Sequence, residues 1–172
     1  MVTTSLDIAA WLVSHHDAET RLTNLSLNKL CFYAQVESLR NAHKTLFDDP
    51  IEAWRYGPVC PGVYRAYKRY GRNAIPAPAT PVPDLAPDEA RIMENTWKDY
   101  GWLSAYDLVR LSHRGDGAWS KAWAQGRDTM ITPDLILESS DIKGFDPRRT
   151  FAASVKRVEN RYGNTLRLLE DS

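Results

Sequence analysis

Cysteine is scarce: Cys31 and Cys60 are the two in 172 residues, and no CxxC spacing is present. Neither a disulfide framework nor a thiolate zinc site is expected, and this usage suits a reducing, cytoplasmic setting. Long apolar runs are missing as well. The longest near the start, Ile8 to Val13, is far too short to span a bilayer. No basic leader precedes it, so neither a membrane span nor a signal peptide is expected. Net charge is absent too, since 22 basic residues balance 22 acidic ones and remove any global pull toward nucleic acid or membrane. Phosphate loops, GxGxxG, GxSxG and HExxH are all lacking. Glu19, Glu37 and Glu52 show no pairing of the kind a carboxylate dyad needs. His15 and His16 are adjacent, so on a helix their side chains diverge by about 100°, which suits surface residues better than joint metal ligands. His113 has Asp107, Ser112 and Asp116 nearby in sequence, the materials of acid–base chemistry. Helical spacing does not bring Asp107 to His113, and a histidine favouring a helix C-terminus is the simpler reading. No enzyme, metal or cofactor is expected.

What the chain does have is helical periodicity. With 43% hydrophobic and 26% charged residues, disorder over the whole length is excluded, and 172 residues suit a single domain with a genuine core. Ser5 is a candidate cap for a helix carrying Leu6, Ala9, Ala10, Leu12 and Val13. Thr23 or Ser26 caps the next, in which Leu27, Leu30, Cys31 and Ala34 form one face and Phe32, Val36 and Leu39 a second. A helix apolar on more than one side is central to its domain, and this one is expected to run to about Ala42. Further helices are expected after Pro61, after Pro87 to Gly101, from a Ser104 capping box with Asp107, around Trp119 and Trp123, and after Thr132-Pro133. A long amphipathic helix is expected at about 147–170. Five prolines between Ala74 and Pro87 make an extended crossover at 74–87. The fold class is therefore mainly α, compact and helical, with one short extended or strand element at about 51–56.

The most tightly specified stretch is Asp48 to Gly71. Gly57, Pro58 and Pro61 fall within five positions and pre-set a sharp chain reversal. That reversal holds Trp54, Arg55 and Tyr56 near the start of a basic helix on which Val63, Tyr67 and Tyr70 mark one face. Arg65, Lys68, Arg69 and Arg72 cover the opposite side, with Tyr64 next to the apolar face. No acid occurs between Ala53 and Pro83, while Asp84 to Tyr100 carries five and Lys143 to Arg167 is basic again. Trp, Tyr and Arg dominate interface energetics because they bury large areas and bond bidentately. Aromatics among basic residues also suit nucleic acid. Trp97, Tyr67 and Tyr100 are read as core, whereas Trp54, Arg55 and Tyr56 stand evenly between structure and function.

The run LSLNKLCFYAQVESLRNAHKTLFDDPIEAWRYGPVCPGVYRAYKRYG resembles the signature half of the Panacea, SocA-like antitoxin domain. Lys29-Leu30, Tyr33-Ala34-Gln35, Leu46-Phe47, Ile51 to Trp54, Gly57-Pro58-Val59, Pro61 and Val63-Tyr64 match its pattern. YGWLSAYDLVRLSHRGDGAWSKAW resembles the second block, with His113 and Trp119 on marked positions and Ala118 where proline is usual. The resemblance covers roughly Ser5 to Ile136. It implies an antitoxin that neutralises a co-encoded toxin by direct protein contact. Toxins paired with the family include alarmone-synthetase-like enzymes that modify tRNA and small membrane-active proteins. One branch acts as an adaptor that delivers its toxin to a protease.

The expected partner surface comprises Trp54, Arg55, Tyr56 and Tyr64, the basic residues Arg65, Lys68 and Arg69, and Arg157 and Arg161 on the C-terminal helix. Gly57, Pro58, Pro61 and Trp119 are expected to shape the scaffold. The alternative is a nucleic-acid-binding regulator using the Arg55–Arg72 and Lys143–Arg167 stripes.

Overall fold

The computed structural model of the chain describes residues 2–16, 22–79, 81–82 and 84–143. The expected C-terminal helix, with Arg157 and Arg161, lies outside the described residues. Among these, seven α-helices surround one two-stranded antiparallel sheet, so the fold is mainly α.

Helix α1, Ser5–His15, opens one residue earlier than the sequence suggests. Thr4, not Ser5, is its cap, because the Thr4 Oγ1 accepts from the Asp7 N–H at 3.2 Å and Asp7 accepts from the Thr4 N–H at 2.8 Å. Helix α2, Asn24–Ala42, uses the same device, with Thr23 and Ser26 exchanging hydrogen bonds. Such caps contribute on the order of 1 kcal/mol each by satisfying amides that the helix itself cannot.

Helix α2 is the axis of the fold. All its residues from Ser26 to Leu39 are buried, so no face of three and a half turns is left to solvent. It packs against α1, the sheet and the later helices α3 (Pro61–Tyr67), α4 (Pro87–Tyr100), α5 (Ala105–Ser112) and α7 (Pro133–Leu137). Leu27, Leu30, Phe32, Val36 and Leu39 join Ile8, Leu12, Met93, Leu108 and Ile136 in one continuous core. Each such large apolar side chain contributes roughly 1.5–3 kcal/mol on burial. Tyr100 closes that core by stacking on Tyr33, with ring centroids 4.3 Å apart.

The segment expected as one extended element is a hairpin. Strand β1, Glu52–Trp54, pairs with β2, Gly57–Val59, in the register Glu52↔Val59, Ala53↔Pro58, Trp54↔Gly57. The reversal thus falls at Arg55-Tyr56, and Gly57-Pro58 are strand residues rather than the turn. Arg55 and Tyr56 keep negative φ, and the positive φ that a tight hairpin demands is taken by Gly57, at +106°. Proline is tolerated in β2 because its partner Ala53 bonds the other way. The Ala53 N–H donates to the Thr129 carbonyl at 2.8 Å, and the Ala53 carbonyl accepts from the Asp128 N–H at 3.0 Å.

Beyond α3 a single 3-10 turn, Lys68–Tyr70, ends at Gly71 with φ +56°. The proline-rich crossover then runs without helix or strand in its described residues, tied at Ile75, whose N–H donates to the Leu22 carbonyl at 2.8 Å. Helix α6, Ala118–Gln125, carries Trp119 and Trp123 back to the hairpin.

Candidate functional site

Helix α2 holds the hairpin through buried polar side chains. The Asn28 Oδ1 accepts from the Cys60 N–H at 3.0 Å, and its amide group donates to the Asn24 carbonyl and to the Asn24 Oδ1, both at 2.9 Å. Gln35 does the same for the preceding loop, accepting from the Leu46 N–H at 2.8 Å and donating to the Phe47 carbonyl at 3.0 Å. Between them Lys29 is fully buried, and its Nζ donates to the Pro58 carbonyl at 3.0 Å. Burial disfavours its charged form and lowers its pKa to about 7, against a smaller opposing influence from Cys60. Cys60 in turn is pushed up to about 12, first by burial, and remains a thiol.

Gly57 is what lets Lys29 reach this position. A Cβ there would stand 2.6 Å from the Lys29 Cε and 2.7 Å from the Ser112 Oγ. Glycine is therefore required twice at this residue, by the space and by the backbone.

Five of the residues expected to bind a partner meet above Lys29. Trp54, Arg55, Tyr56 and Tyr64, with Lys68, line a pocket of about 280 Å³ whose other walls are Asn24, Leu25, Asn28, Lys29, Val59 and Gly71. The Trp54 and Tyr64 rings pack edge to face at 4.9 Å, and the Trp54 Nε1 donates to Glu52 at 2.7 Å. Tyr56 is 60% exposed and Tyr64 38%, so the aromatic rim is displayed rather than packed away. The Arg55 guanidinium sits over the Tyr56 ring, 5.5 Å from its centroid. Arg65 and Arg69 are exposed on α3 and its 3-10 turn and do not line this pocket. Arg69 instead lies over Tyr70 and donates to its hydroxyl at 2.8 Å.

Trp119 buttresses the hairpin from below. Its Nε1 donates to the Trp54 carbonyl at 2.8 Å, while its ring takes His113 edge-on at 3.8 Å and stacks on Trp123 at 5.5 Å. A second depression, lined by Trp54, Arg55, Trp123, Arg127 and Asp128, adjoins the first at Trp54 and Arg55.

The acid–base candidates are occupied elsewhere. The Ser112 hydroxyl donates to the Val109 carbonyl of its own helix at 2.8 Å, Asp107 sits in the Ser104 capping box, and Asp116 accepts from the Ser140 hydroxyl at 2.6 Å. His113 has its pKa lowered chiefly by burial, against the raising influence of the Val109 and Arg55 carbonyls. His15 and His16 each stack on a tryptophan, Trp11 and Trp97 respectively.

Sequence reasoning overlooked Lys29 and Asn28 as builders of the site. For Asn28 the signal was a polar residue in a helix apolar on more than one side, where burial demands fixed hydrogen-bond partners, while Lys29 gave no local signal.

Comparison with known proteins follows the same residues. A family profile described as antitoxin SocA-like, Panacea domain, matches residues 27–120. A curated protein named Antitoxin SocA, from Caulobacter vibrioides (strain NA1000 / CB15N), is 31% identical over 133 residues, covering 71% of this chain and 70% of that protein. No solved structure matches.

Proposed function

Because the chain belongs to the SocA-like, Panacea-domain antitoxin family, we propose that it neutralises a co-encoded toxin by direct protein–protein contact. The observation that carries this reading is the displayed aromatic and basic surface at the hairpin, where Trp54, Arg55, Tyr56, Tyr64 and Lys68 meet around one pocket. Trp and Tyr form interface centres because they bury much area for little lost side-chain entropy, and Arg because it bonds in a fixed fork. The role is one of binding rather than catalysis. An alarmone-synthetase-like, tRNA-modifying enzyme is the first toxin class to test, and delivery of a toxin to a protease is the adaptor variant of the same activity.

The contact surface is the hairpin together with the basic face of α3, with Arg157 and Arg161 contributing from the C-terminal segment. The experiment is co-expression with the product of the adjoining gene, read by growth rescue and by co-purification. Charge reversal of Arg65, Arg69 and Arg157 then tests the surface, and unchanged affinity for all three rejects it. A nucleic-acid role is favoured by one observation, the acid-free stripe from Arg55 to Arg72. It requires binding to DNA or RNA alone whose affinity falls steeply with salt, through counterion release.

A further inference from the structure

We propose that the pocket above Lys29 receives an acidic side chain from an extended segment of the partner protein, the carboxylate directed to Arg55 and Lys68 at its exposed rim and its apolar neighbours to the aromatic walls. This rests on the toxin-binding reading and specifies the chemistry of its anchor.

Charge complementarity names the occupant. Of the eleven residues lining the pocket three are basic, Lys29, Arg55 and Lys68, the last two of them exposed, and none is Asp or Glu. Asn24 and Asn28 carry the other side-chain amides, and their bonds go to each other, to the Cys60 N–H and to the Tyr64 carbonyl. What the pocket offers an incoming group is therefore positive charge, set in walls made by Leu25, Trp54, Tyr56, Val59 and Tyr64. Lys29 itself has no accessible surface and spends a hydrogen bond on the Pro58 carbonyl, so the exposed Arg55 and Lys68 are the groups an arriving carboxylate meets.

The neighbouring depression, of about 580 Å³, adds Arg127 and Trp123 against a single acid, Asp128. Since both depressions share Trp54 and Arg55, a strand of chain crossing that ridge places side chains in each. One anchored acid followed by a second residue beyond the ridge is the pattern an extended peptide satisfies.

The test uses the full chain with two probes. The first is the pentapeptide acetyl-Leu-Asp-Leu-Glu-Leu-amide, compared with its Asn/Gln counterpart by following the Trp54 indole N–H resonance. The second is the co-encoded toxin, followed by its Kd. The acidic peptide is expected to shift the Trp54 signal and to bind at least tenfold more tightly than the amide peptide. Arg55→Glu and Lys68→Glu, both at the exposed rim and tolerable to the fold, are expected to weaken the peptide and the toxin alike at least tenfold. Arg91→Glu on α4 is expected to leave both unchanged. Equal binding of the two peptides, or full affinity of toxin for both rim variants, overturns the pocket while leaving toxin capture intact. Peptide binding with no toxin binding upholds the pocket and rejects toxin capture. Displacement of the acidic peptide from the rim by a single-stranded RNA 12-mer, with no peptide preference left, overturns the choice of occupant.

Discussion

The Lys29 Nζ meets the Pro58 carbonyl at 3.0 Å, from the side of β2 that faces α2. Pro58 lacks an N–H, and its strand partner Ala53 spends both backbone groups on the 128–129 segment. The Pro58 carbonyl is thus left to a side chain, and Lys29 supplies it. One hydrogen bond joins the central helix, the hairpin and the floor of the pocket.

Stability is expected to depend on pH through this residue. The pKa of Lys29 falls from 10.5 to about 7 on folding. Between those values the unfolded chain binds the extra proton, so stability rises with pH from about 7 toward 10.5 and is lowest, by a constant amount, below 7. The total change is on the order of a few kcal/mol. Above pH 9 the raised pKa values of Cys31 and Cys60 act in the opposite sense, since their thiols ionise first in the unfolded chain. Urea unfolding of wild type and Lys29→Met from pH 6.5 to 10 separates the two. Wild type is expected to gain stability relative to Lys29→Met as pH rises, and a constant difference refutes the assignment.

Two glycines seven residues or fewer apart are expected to respond oppositely to alanine. Gly57→Ala places a Cβ 2.6 Å from Lys29 and strains a backbone at φ +106°, which is expected to cost roughly 2–4 kcal/mol. Gly62 lies in α3 with nothing within 4 Å of an added Cβ. Gly62→Ala is expected to stabilise by about 0.4–1 kcal/mol through the unfolded state. Thermal unfolding of both variants reads the contrast directly.

The helical frame was legible because most of the helices carry their own start signal, α6 with Gly117 at its cap being an exception. Thr23, Ser104 and Thr132 cap as their positions suggest, and prolines open α3, α4 and α7. The hairpin was harder. Gly57-Pro58 reads locally as a turn, and only the pairing of Ala53 with residues 128–129, more than seventy positions away, makes a proline acceptable inside β2. The aromatic rim could be named from composition, since Trp54, Tyr56 and Tyr64 crowd one stretch. Lys29 could not, because a lysine in an apolar helix normally extends its head to water. Its burial depends on the space left by Gly57 and on the carbonyl left by Pro58, both tertiary facts.

Trp119 is expected to hold the hairpin through one hydrogen bond as well as through its ring. Trp119→Phe keeps an aromatic ring but removes the Nε1 donor to the Trp54 carbonyl. A loss of about 1–2 kcal/mol is expected, the usual cost of leaving a carbonyl of this kind without its partner. Faster amide hydrogen exchange at β1 and at residues 128–131, with little change at α2, is the accompanying signature. Uniform acceleration throughout the chain argues instead that Trp119 acts as general core.

The last described turn is held by Asp141, and here the substitution series separates charge from hydrogen bonding. Its buried carboxylate accepts from the Ala118 N–H at 2.7 Å, at the start of α6, and from the Ser139 hydroxyl at 3.3 Å, with Arg114 3.4 Å away. Its carbonyl also accepts from Arg40 of α2 at 2.6 Å, a bond that any residue at 141 retains. Asp141→Ala therefore keeps the α2 tie but leaves the α6 amide and Arg114 without the carboxylate, which is expected to cost roughly 3–5 kcal/mol. Asp141→Asn retains an acceptor for the Ala118 N–H and loses only the charge, so a smaller cost of about 1–2 kcal/mol is expected. Because α6 carries Trp119, destabilisation at Asp141 is expected to reach the hairpin. Urea midpoints for both variants, with hydrogen exchange at residues 52–59, check the order and the path. Equal costs for alanine and asparagine mean that the charge, not the cap, holds this corner.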